Sequence, residues 1–131
     1  MRIALLALGL FLAGCANTAR NTDIVDSELL RHIEGYAIAS CLVLQPEPYL
    51  RDQGDAWASV IVQRLQGSLD PLVRLAEVVQ RENGHTGMAV MRDEMNPGQD
   101  KTLPLMHCFE LMDRPSVRDA ILDAVAEERS R

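Results

Sequence analysis

The sequence predicts an all-α fold, a compact bundle of about five helices with one long polar loop. Apolar residues recur at three- and four-residue intervals through most of the chain. No segment sustains the two-residue alternation of a half-buried strand between turn dipeptides. Prolines and glycine-containing dipeptides divide the apolar runs into pieces of helix length.

The chain opens with Met1-Arg2, a short cationic start, followed by the apolar run Ile3 to Leu12 (IALLALGLFL). That run is shorter than the about 20 residues a membrane-spanning helix needs. Leu12-Ala13-Gly14-Cys15 resembles the lipobox of bacterial lipoproteins. The resemblance implies that 1–14 is a lipoprotein signal peptide, that Cys15 becomes lipidated, and that the protein works in the periplasm on a lipid anchor. Ala16, not an aspartate, follows the cysteine, and likeness to the enterobacterial sorting pattern then implies the outer membrane. Residues 15–26 are polar and read as a flexible tether. Residues 27–131 suit one domain with one core.

Within that domain Ser27 is the expected N-cap of a first helix running to about Gln45. Leu29, Ile33, Ala37 and Cys41 fall along one face of it, widened by Leu30, Ile38, Leu42 and Leu44. Pro46 and Pro48 end it and permit a second helix from about Glu47 to Gln66. Trp57, Val60, Ile61 and Leu65 are expected inward, Gly54 weakens the early turns, and Gly67 closes the helix. Asp70-Pro71 is a start signal, an N-cap oxygen followed by a residue of fixed φ. Leu72, Leu75, Ala76 and Val79 form the third apolar stripe, and Asn83-Gly84 stops it. Leu103 to Asp113 follows, with Leu105, Cys108 and Met112 on one face. After Pro115 a last helix spans Ser116 to Glu128, with Val117, Ile121 and Val125 inward.

The formal net charge is −6, and it becomes one unit more negative once Arg2 leaves with the signal peptide. The single lysine is Lys101 and the arginines are scattered. An acidic body of this kind is not expected to bind a nucleic-acid backbone, which draws on clustered cations. Acidity would steer the protein toward a basic partner, and it equally serves solubility. Setting Cys15 aside leaves Cys41 and Cys108, an even pair in an oxidising compartment. They form either a disulfide or two buried free thiols.

Enzymatic constellations are scarce. His32, His85 and His107 are far apart and form no zinc-binding spacing. His107 and Cys108 are neighbours on a helix, so their side chains diverge, and His107 reads as a partly exposed histidine. No catalytic residues and no cofactor are implied. Asp93-Glu94 and Glu127-Glu128 are carboxylate pairs of a kind common on solvated surfaces. A short helix over Met88 to Glu94 would align Met88, Met91 and Met95, thioethers that could hold copper(I) or equally serve as adaptable packing.

The feature that stands out is the long segment Asn83 to Thr102, marked by the Asn96-Pro97-Gly98 turn. It carries Arg92, Asp93, Glu94, Asn96, Gln99, Asp100 and Lys101. Glu94, Asn96, Gln99 and Asp100 are the candidate partner-binding residues, because each can meet backbone amides or a basic rim.

Two segments, Tyr36-Ala37-Ile38-Ala39-Ser40-Cys41-Leu42 and Leu105-Met106-His107-Cys108-Phe109-Glu110-Leu111, are recognisable together. The pair resembles the immunity proteins that protect bacteria against type VI secretion amidase effectors, over about Glu28 to Val125. The resemblance implies a structural disulfide between Cys41 and Cys108, so that the bundle is stapled once. It further implies a homodimer that binds a cell-wall amidase in the periplasm and occupies its active-site cleft. The lipobox, where a plain cleavable signal would suffice, and a longer loop before Lys101 depart from the family pattern. A small outer-membrane lipoprotein that scaffolds an envelope complex is the alternative reading.

Overall fold

The computed structural model describes the backbone of residues 15–131 and the side chains of residues 26–131. Residues 1–14, expected to be a signal peptide, and the side chain of Cys15, expected to be lipidated, lie outside the described residues. Among these residues there are five helices and one two-stranded ribbon, in the order α1 (Cys15–Val43), α2 (Pro48–Leu65), α3 (Asp70–His85), β1 (Val90–Met91), β2 (Lys101–Thr102), α4 (Pro104–Leu111) and α5 (Pro115–Arg129). The bundle of about five helices is therefore present, with the ribbon as an addition.

Proline starts each helix after the first. Pro48, Pro71, Pro104 and Pro115 all sit in a first turn, where the missing N–H is no loss and φ is already helical. None of these four helices has a side-chain cap. Asp70 is therefore not the N-cap expected of it: it is the first helical residue, and its N–H donates to Ser68 Oγ at 3.2 Å.

The backbone of 15–26, expected as a tether, is helical and continuous with the rest of α1, and Ser27 lies inside the helix instead of capping it. Once the turns from Leu29 onward are fixed by packing, adding residues at the N-terminal end needs no new nucleus. At the other end of α2, Gln66 and not Gly67 takes the left-handed conformation, with φ 50°, and its N–H meets Val62 O.

The core lies between α1, α3, α4 and α5. Ile33, Ala37, Cys41 and Leu42 meet Leu72, Leu75 and Val79, and Cys108, Leu111, Met112, Val117, Ile121, Ala124 and Val125 close the cluster. Two expectations about facing fail. Leu105 is 62 % exposed because the buried face of α4 is His107, Cys108 and Leu111, one step round the helix. Trp57 and Val60 are also exposed, leaving Ile61 and Gly54 as the buried residues of α2. A helix that rests chiefly on one neighbour covers a narrow strip, whereas the sequence shows a broad apolar face.

Two glycines set the approach of α1 and α2. A Cβ on Gly54 would fall within 3 Å of Ala39 O, Leu42 Cβ and Val43 N, and one on Gly35 would lie 3.2 Å from Ile61 and Trp57 atoms. On the opposite side α5 is oriented by exposed ion pairs: Arg118 with Glu34, Arg129 with Asp26 at 3.0 Å, and Arg74 with Glu127 at 2.6 Å. Solvent screens such pairs, so they fix orientation more than stability.

Candidate functional site

The segment between α3 and α4 is a β-hairpin, not a loop around a short helix. Val90 pairs with Thr102 and Met91 with Lys101 in antiparallel register. Leu103 N–H extends the ladder to Ala89 O at 2.8 Å. Two-residue strands are too short to leave an alternation in the sequence, which is why none was visible.

Local chemistry shapes the tip. Asp93 Oδ1 accepts from the N–H groups of Met95 and Asn96, at 3.0 and 3.1 Å, and Asn96 Nδ2 donates to Asp93 Oδ2 at 3.0 Å. This is the turn-forming use of a short carboxylate side chain. These bonds, with that from Asn96 foremost, hold the Asp93 carboxyl below the ordinary aspartate range. The expected turn at Asn96-Pro97-Gly98 is formed. Gln99 N–H meets Asn96 O at 3.1 Å, and Gly98 adopts φ 99°, a conformation costly for any residue with a Cβ.

The hairpin collects the four candidate partner-binding residues. Glu94, Asn96, Gln99 and Asp100 all lie exposed on the connection between β1 and β2. Met95, on the same connection, is 88 % exposed, and Val90 and Met91 are exposed on the adjoining strand. The helical face expected for Met88, Met91 and Met95 does not exist, since no helix forms there. Among the described residues no group of three or more histidine, cysteine, aspartate or glutamate side chains could hold a metal. Leu105, Met106 and Phe109 add exposed apolar surface on α4, which follows β2 after a single residue.

At the base of the hairpin lies the disulfide that the resemblance implied, among polar neighbours that the sequence did not reveal. Cys41 and Cys108 are joined in a disulfide, their Cα atoms 5.5 Å apart, and both are fully buried. Around it lie the buried side chains of Gln45 and His107, with Asn83 half-buried beside them. His107 is thus inside the protein, not partly exposed. Its Nε2 lies 2.9 Å from Asn83 Oδ1, an oxygen that can only accept, so Nε2 carries the proton. Gln45 Nε2 donates to Cys41 O at 2.9 Å and lies 3.5 Å from both Asn83 Oδ1 and Cys108 Sγ. A disulfide sulfur offers no thiolate, so Cys108 supplies no nucleophile beside His107. Of the cluster, only the cysteines and His107 carried a signal in the sequence. Asn83 read as a helix terminator and Gln45 as a helix end.

Open grooves also mark the described surface. One of about 370 Å³ runs between α3 and α5 along Pro71, Arg74 and Glu127, and one of about 290 Å³ lies among Val43, Leu44, Ala58 and Val73. Neither includes a candidate partner-binding residue. No helix among the described residues is long and apolar enough to cross a membrane. Compared with protein families, with curated proteins and with solved structures, the chain matches none of them.

Proposed function

We propose that the protein is an immunity protein that binds a secreted peptidoglycan amidase of the type VI effector class in the periplasm and blocks its active-site cleft. The observation that carries the reading is the exposed hairpin bearing Glu94, Asn96, Gln99 and Asp100. A narrow two-stranded ribbon is a shape that enters a concave site, and enzyme clefts are concave. The carboxylates of Glu94 and Asp100 can accept from backbone amides or from a basic rim. Met95 offers a flexible apolar contact of a kind enriched at protein interfaces. The disulfide supports the reading, because a rigid base lowers the entropy lost on docking. An acidic body favours fast capture of a basic partner.

The proposal includes the lipid anchor at Cys15, which would hold the inhibitor beside the wall that the enzyme attacks, and a homodimer. Function in this reading is binding, with no cofactor and no role for nucleic acid.

The test is hydrolysis of peptidoglycan by the purified amidase of the same strain, followed at increasing ratios of inhibitor to enzyme. A sharp stoichiometric endpoint is expected, moved to higher ratio when Glu94, Asn96, Gln99 and Asp100 are all replaced by alanine. Absence of inhibition at large excess overturns the proposal and favours the small outer-membrane lipoprotein that scaffolds an envelope complex. The anchor is tested separately: Cys15→Ser should release the protein into the soluble periplasmic fraction, and fractionation like the parent would refute lipidation.

A further inference from the structure

The hairpin leaves the last turn of α3 and returns into the first turn of α4, and the Asn83 and His107 side chains meet across its neck. The disulfide ties α4 to α1 through Cys108 and Cys41. It does not reach α3, where the hairpin begins. A side-chain hydrogen bond joins these two helices directly, from His107 Nε2 to Asn83 Oδ1, with Gln45 Nε2 from beyond the end of α1 approaching the same oxygen. One carboxamide oxygen therefore gathers side chains from three parts of the fold.

We infer that Asn83, His107 and Gln45 are positioning residues that lock the direction in which the hairpin leaves the helical body. Apolar contacts are non-directional and let α3 and α4 rotate by small angles. A buried hydrogen bond is directional, and breaking it strands a buried donor. A short lever at the neck becomes a large displacement at the tip, where Glu94, Asn96, Gln99 and Asp100 lie. The inference rests on the reading of the hairpin as the binding element.

The experiment is ¹⁵N relaxation on the full-length protein solubilised in detergent, reading the heteronuclear NOE of the Met91, Lys101 and Thr102 amides against the helices. In the parent these amides should match the helices. His107→Leu removes the donor and should lower their NOE toward the value of Arg131. Asn83→Ala breaks the same bond from the α3 side and serves where His107→Leu fails to fold, as judged by far-ultraviolet circular dichroism. His107→Gln keeps a donor near the position of Nε2 and should restore the parent value. Inhibition of the amidase should weaken by about tenfold or more in the first two variants and by less than about twofold in the third, since a flexible binding element must be ordered on docking. Parent-like NOE values in both disruptive variants overturn the inference. So does a glutamine variant as loose as the leucine one, or a parent hairpin already as mobile as Arg131. Relaxation that follows the hydrogen bond in a protein that inhibits no amidase upholds the positioning role and refutes the proposed function.

Discussion

A Cβ placed on Gly54 would lie 2.7 Å from the carbonyl oxygen of Ala39, closer than any side chain tolerates. Its other neighbours, Leu42 Cβ and Val43 N, are each at 2.9 Å, so backbone on α1 bounds the space and cannot swing aside. Gly54→Ala should therefore separate α1 from α2 and destabilise the protein by about 1–3 kcal/mol, despite alanine's better helix propensity. Gly84 is the matched control. It lies within α3 with nothing inside 4 Å of its Cβ position, and Gly84→Ala should stabilise by about 0.5–1 kcal/mol. Urea unfolding of both variants checks the pair. Equal signs would refute the close-approach account.

The disulfide closes a separation of 67 residues. Loop-closure entropy assigns a bridge of that span about 4 kcal/mol. Replacing both Cys41 and Cys108 by serine should cost about that much, since polar neighbours such as Gln45 stand within reach of the new hydroxyls. Thermal unfolding under oxidising conditions measures it, and an unchanged Tm would mean that the bridge contributes nothing.

Gln66 holds a left-handed backbone conformation at the end of α2. A side chain there costs about 1–2 kcal/mol relative to the right-handed region, and glycine avoids that cost at the expense of chain entropy. Gln66→Gly should raise the Tm by a few degrees, provided the Gln66 N–H keeps its bond to Val62 O. A lower Tm would show that the glutamine side chain contributes more than its backbone costs.

The depressed titration of Asp93 has a stated cause, the Asn96 side chain above all. With the folded value below the unfolded one, the turn is favoured at neutral pH and loses that support as pH falls through the lowered value. Carboxyl-carbon NMR should find the Asp93 midpoint below the ordinary aspartate range. Asn96→Ala should move it upward while leaving the helices unchanged. A midpoint that ignores Asn96 would contradict the bonding described for the tip.

How much was legible follows from the range of each interaction. Periodicity placed four helices after the first within a few residues, because Pro48, Pro71, Pro104 and Pro115 act through their own φ and missing N–H. The turn at Asn96-Pro97-Gly98 was legible for the same reason: its geometry is set by three consecutive residues. Glu94, Asn96, Gln99 and Asp100 are legible as candidates by their polarity alone.

Tertiary structure decided the rest. Cys108 and Met112 face inward as expected, but whether Leu105 or His107 joins them depends on how α4 packs against α1 and α3. Whether Trp57 is covered depends on how many helices surround α2. The ribbon of Val90, Met91, Lys101 and Thr102 forms because chain segments nine or more residues apart meet, a contact without a local signature. Asn83 is a helix ender by propensity and a hydrogen-bond hub by position. Local backbone preferences are written in the sequence residue by residue, whereas burial and pairing belong to neighbours that only folding brings near.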